Sequence, residues 1–124
     1  MTKLELNNLY QLLNSSNPTL CKLAFKMSEG YGYNNMELLE IIWKRLFCKH
    51  KDSGYTMYVL QLGKYTIKCS ATKRWEFEQP GNHPVIRKSY ISTKSNIFNY
   101  AVQQLIYNSY EKLDDYLVVQ TPIF

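Results

Sequence analysis

Glu76 and Glu78 stand two residues apart in a stretch that alternates apolar and polar groups, so a strand would point both carboxylates the same way. Such a pair can hold a divalent ion, or divide acid and base roles between its members. Arg74 belongs to the same alternation, however, and a strand rim of mixed charge accounts for all three without chemistry. No glutamate has a lysine two positions on, the spacing a nuclease of the ExK kind would need. Serine lacks a Gly-x-Ser-x-Gly turn to sharpen it into a nucleophile. Gly30-Tyr31-Gly32-Tyr33-Asn34-Asn35 lacks the Lys-Ser or Lys-Thr that completes a phosphate loop. His50 and His83 have no metal-like spacing, and Cys21, Cys48 and Cys69 form no Cys-x-x-Cys pair. The expectation is a chain that is no enzyme and takes neither metal nor cofactor.

The cations make a stronger pattern. The formal charge is +5, with −1 over residues 1–43, +8 over residues 44–94 and −2 over residues 95–124. A concentrated positive field speeds encounters with phosphates or acidic proteins. The candidate binding residues are Lys64, Lys68, Lys73, Arg74, Arg87 and Lys88 on strands and turns, with Lys94 at the start of the last helix. Tyr65, Trp75 and Tyr90 are interleaved with them, and cations beside aromatics can bind single strands by phosphate contact plus stacking. Alternation puts Tyr65 with Ile67 and Trp75 with Phe77, which directs both rings to the core and leaves electrostatics as the firmer part of the reading. The competing explanation is a solvated lysine-rich surface that keeps the chain in solution.

These residues need elements to place them. Thr2 with Glu5 fits a capping box, and the leucines that follow predict a helix over 3–13. Asn17 and Pro18 open a second helix that Gly30 would terminate in the left-handed region. A third helix, about 36–49, is apolar around most of its circumference and reads as the organising core helix. Its end, Lys49-His50-Lys51, suits the negative pole of a helix. The period then changes to two. Residues 55–62 read as a central strand, Gly63-Lys64 as a turn, and 65–70, 74–79 and 85–91 as further strands. Pro80-Gly81-Asn82-His83-Pro84 is a loop. Thr93 or Ser95 caps a last helix over about 95–112, closed by Asp114-Asp115.

The fold class expected is therefore α+β: a small, mostly antiparallel sheet of three to four strands packed by helices, with an N-terminal two-helix extension. At 124 residues, 45% of them apolar, the chain suits one domain: a helical extension over 1–33, a helix-sheet-helix core over 34–113 and an apolar tail over 114–124. The tail either packs as a short edge strand or serves as a docking arm. No apolar run approaches the roughly 20 residues of a membrane span, and the charged start does not resemble a signal peptide. Three unpaired cysteines then read as reduced, cytoplasmic and mostly buried. Cys48 lies among Lys44, Arg45, Lys49 and His50, which would favour a thiolate, but a buried structural thiol is the plainer account.

Residues 38–46, Gly54-Tyr55-Thr56-Met57-Tyr58, Arg74-Trp75-Glu76-Phe77 and Tyr90-Ile91-Ser92-Thr93 leading into Ala101-Val102 carry a resemblance. Over residues 35–113 the chain resembles small phage-encoded α-β-α sandwich domains. The same order is similar to the double-stranded-RNA-binding domain, although only Lys94, before Ser95-Asn96, stands where that family has its lysine cluster. The first resemblance implies a small phage-type accessory protein in a host cytoplasm, inhibiting a host complex such as a defence system by occupying its surface. Two alternatives stand beside it: a nucleic-acid-binding module with a basic sheet face, and an assembly subunit docking through its tail. The expected partner is thus a protein complex or a nucleic acid.

Overall fold

The computed structural model describes residues 1–52, 55–81 and 86–107. The expected loop beyond Gly81, the expected continuation of the last helix beyond 107, its expected close at Asp114-Asp115 and the apolar tail lie outside the described residues. The element order is α1 (Lys3–Leu13), α2 (Pro18–Gly30), α3 (Asn35–Leu46), β1 (Cys48–Asp52), β2 (Tyr55–Leu62), β3 (Tyr65–Ser70), β4 (Trp75–Pro80), β5 (Ile86–Ile91) and α4 (Lys94–Tyr107).

Local capping starts each helix. The Thr2 hydroxyl accepts from the Glu5 N–H at 3.1 Å, and the Glu5 carboxylate accepts the Thr2 N–H at 2.7 Å. Asn34 and Glu37 form the same reciprocal pair at 2.8 and 3.0 Å. The Asn17 side chain accepts the Thr19 N–H at 2.9 Å, with Pro18 at the first helical position. The left-handed residue after α2 is Gly32, at φ +90°, whereas Gly30 is the last residue of the helix itself. The chain therefore turns two residues later than expected, and the Gly32 N–H closes on the Glu29 carbonyl.

All five strands join in one antiparallel sheet in the order β1-β2-β3-β4-β5. The expected three or four strands become five because Lys49-His50-Lys51 is not the end of a helix. α3 stops at Leu46, Phe47 turns to extended backbone at φ −65° and ψ 147°, and Cys48–Asp52 pairs with β2. Lys44 and Arg45 are the cations of the last helical turn. The charges that resembled a dipole partner instead sit on an edge strand, where charge discourages pairing with another chain.

The four helices form a layer on one side of the sheet. α1 and α2 supply Leu6, Leu9, Leu13, Cys21, Ala24 and Phe25 to the core. Their connection docks on the β2–β3 turn: the Asn14 side chain accepts the Gly63 N–H at 2.5 Å, and the Tyr10 hydroxyl donates to the Gln61 carbonyl at 2.6 Å. Ser16 and Gly63 meet there, both with positive φ, and a Cβ on Gly63 would lie 2.5 Å from the Ser16 hydroxyl. α4, not α3, is the organising core helix. Ile97, Phe98, Tyr100, Ala101, Val102, Gln104 and Leu105 are all buried, because α2, α3, β4 and β5 surround it. In α3 full burial is confined to Leu38, Leu39 and Ile42.

Alternation places side chains as expected in the middle of the sheet. Tyr65, Ile67 and Cys69 of β3, and Trp75, Phe77 and Gln79 of β4, face the helices. Thr66, Lys68, Ser70, Glu76 and Glu78 face the other way and are half-buried. Residues 55–62 are not central but lie second from the β1 edge. Among the described residues no helix is long and apolar enough to cross a membrane.

Candidate anion-binding end of the sheet

One row of paired residues organises the site: Lys49, Tyr58, Cys69, Trp75 and Ile91, in register across all five strands. Directly opposed residues of an antiparallel pair share a face, so the row lies on the helix side. Ile91 and Cys69 are buried, Trp75 is nearly so, Tyr58 is half-buried and Lys49 is exposed. The last turn of α3 covers the row. Trp43 lies 5.1 Å from Trp75 and 6.3 Å from Phe98, while Phe47 stacks on Trp43 at 5.6 Å and meets Tyr58 edge-on at 5.2 Å.

Cations from four elements lie at this end of the sheet. Lys44 and Arg45 end α3, Lys49 lies on β1, Lys73 and Arg74 form the β3–β4 turn just before Trp75, and Lys94 begins α4 three residues after Ile91. Glu40 answers two of them, accepting from Lys94 at 3.1 Å and lying 3.7 Å from Lys44. The Lys94 hydrogen bond and charge hold the Glu40 carboxyl below its ordinary range. Arg45, Lys49, Lys73 and Arg74 are exposed and have no ion pair among the described residues.

The turn that carries Lys73 and Arg74 is held tightly. The Ser70 N–H donates to the Arg74 carbonyl at 2.9 Å, the Lys73 N–H to the Ser70 carbonyl at 3.0 Å, and the Arg74 N–H to the Ser70 hydroxyl at 3.0 Å. Lys73 adopts φ +64°, the left-handed position that short hairpin loops normally give to glycine.

The expected set is thus divided. Lys73, Arg74 and Lys94 come together at this end. Lys64 sits in the β2–β3 turn at the opposite end, its ammonium 5.5 Å from the Tyr65 ring centroid. A strand of six residues spans about 20 Å, which sets the separation. Lys68 and Lys88 lie on the face away from the helices beside Glu78, at 2.7 and 3.9 Å. Arg87 is exposed on the β5 edge and pairs in register with Gln79. The interleaved aromatics do not form a stacking surface: Tyr65 and Trp75 are buried, and only Tyr90 joins the outward face.

The carboxylate pair does point one way, and its neighbours explain its state. Burial, then a hydrogen bond with Glu78, raises the Glu76 carboxyl above its ordinary range. Burial works against charge on Glu78 too, but hydrogen bonds from Glu76 and Lys68 and the Lys68 charge hold it below that range. Tyr90 is raised by burial and by the Glu76 charge. Among the described residues no group of three or more His, Cys, Asp or Glu is placed to hold a metal. Burial pushes the Cys21 thiol up to about 11 and raises Cys69 as well. Cys48 is exposed on β1 rather than buried, since its residue pairs with Val59 on the face away from the helices.

Arg45, Lys49 and Phe47 were outside the expected set. Their signal was the basic run at 44–51, which reads as a helix terminus until β1 is seen to pair. Comparison with protein-family models, curated proteins and solved structures finds no match for this chain.

Proposed function

We propose that the chain is a non-enzymatic binding protein whose basic end holds the phosphate backbone of a nucleic acid. The observation that supports this reading is the placement of Arg45, Lys49, Lys73 and Arg74, exposed and without acidic partners among the described residues, at the end of the sheet where α3 seats its aromatic seam. The phage-type accessory role fits the same surface, with the basic end covering an acidic region of a host complex. That setting rests on the resemblance of residues 35–113.

A mobility shift at low salt tests the binding. Four phosphate contacts give a slope of log K against log salt of about −3. Charge reversal at Lys73 and Arg74 together should flatten that slope by about half and weaken binding to all sequences alike. Absence of any shift at low salt would rule out the nucleic-acid reading and leave an acidic protein partner.

A further inference from the structure

We infer that the basic end selects single strands, with a nucleobase stacking on Phe47, an inference that rests on the nucleic-acid reading above. Phe47 keeps 36% of its surface in water although it ends an aromatic series, Phe47–Trp43–Trp75–Phe98, that runs into the core. The ring is not a loose side chain. Trp43 stacks on it with 26° between planes, and Tyr58 meets it at 83°. Its backbone is pinned where α3 gives way to β1, with the Phe47 N–H donating to the Trp43 carbonyl at 3.4 Å. Exposed Arg45 and Lys49 flank it two residues to either side.

Lys73 and Arg74 adjoin Trp75 on β4, while Phe47 packs over Tyr58 on β2. Two strand spacings, roughly 10 Å, therefore separate the strand beneath the ring from the strand that follows the basic turn. An exposed, immobilised ring with cations beside it in sequence and a second basic turn at the same end of the sheet suits an unpaired strand: cations track the phosphates and the ring receives a base. A duplex keeps its bases stacked internally and has no free π-face to offer, so the ring contributes nothing to duplex binding. Tyr65 and Trp75 cannot serve in this way because both are buried.

The experiment is fluorescence anisotropy of the full chain with a labelled oligo-dT strand of about 12 nucleotides and with a duplex of equal length, across a range of salt. The unaltered chain should bind the single strand more tightly than the duplex. Phe47→Leu keeps an apolar side chain but removes the π-face; it should weaken single-strand binding about tenfold and leave the salt slope and duplex binding unchanged. Phe47→Trp should restore the affinity. Tryptophan emission of the unaltered chain should change at saturation with the strand, because the Trp43 ring lies 5.6 Å from Phe47. That measurement holds even if a substituted chain fails to fold. Equal affinity for strand and duplex, a silent Phe47→Leu, or unchanged emission at saturation would overturn the stacking role. If charge reversal at Lys73 and Arg74 still weakens binding in that case, the broader reading survives. If nothing binds at low salt, both fall.

Discussion

Replacing Lys73 with glycine should strengthen the fold and weaken binding together. A non-glycine residue at φ +64° costs roughly 1–2 kcal/mol, because its Cβ crowds the following carbonyl. Glycine removes that crowding but loses more backbone freedom on folding, by roughly 0.5–1 kcal/mol. The difference favours glycine by about 0.5–1 kcal/mol. All three hydrogen bonds of the turn, from the Ser70 N–H to the Arg74 carbonyl, from the Lys73 N–H to the Ser70 carbonyl and from the Arg74 N–H to the Ser70 hydroxyl, survive the change. For a chain of this length the midpoint of thermal unfolding should rise by about 2–4 °C. Loss of one cation should flatten the single-strand salt slope by about 0.7. Lys73→Asn separates the two effects: asparagine tolerates the left-handed region and also lacks the charge, so it should bind like the glycine variant with a smaller rise in stability. Urea unfolding and anisotropy titrations on the same preparations supply both readings. A glycine variant less stable than the parent would show that the lysine side chain, not its backbone, supports the turn. A stabilised variant with an unchanged salt slope would show that Lys73 does not contact phosphate.

Gly63→Ala should destabilise the fold by about 2–4 kcal/mol, combining left-handed strain with a Cβ placed 2.5 Å from the Ser16 hydroxyl; Ser16→Gly in the same chain should recover part of that loss in a double-mutant urea series. Tyr100→Phe removes the partner of the Gln79 amide, 3.0 Å away and already without a partner for its carbonyl oxygen among the described residues, and should cost about 1–3 kcal/mol in urea unfolding. Glu76→Gln should raise the unfolding midpoint at pH 7. The folded carboxyl titrates above the unfolded one, so its charge opposes folding at neutral pH, and the benefit should vanish as pH falls through the unfolded carboxylate range. Glu78 runs the other way: its stabilisation is present above the unfolded carboxylate value and is lost as pH falls through its depressed folded value, which carboxyl NMR titration would resolve from Glu76.

Short-range chemistry made much of this fold legible. Thr2 with Glu5, Asn17 with Pro18, and the run at 65–79 each specify their element through neighbours within a few residues, and the observed bounds match closely. The same alternation correctly sent Tyr65 and Trp75 to the core and Glu76 and Glu78 to the opposite face. Cys48–Asp52 has no such internal signal. Three consecutive basic side chains satisfy a helix pole and an edge strand equally well, and only hydrogen bonds to β2 decide between them. The candidate site depended on that decision. Amino-acid order alone determined that the chain has a cation-rich middle and the local starts of its helices and hairpins. Tertiary structure alone decided which cations meet, because charge is additive along a chain but proximity is set by strand register and by how α3 seats Trp43 on Trp75. That register places Lys73 and Arg74 at the same end of the sheet as Arg45 and Lys49 and leaves Lys64, close to Lys73 in sequence, at the far end.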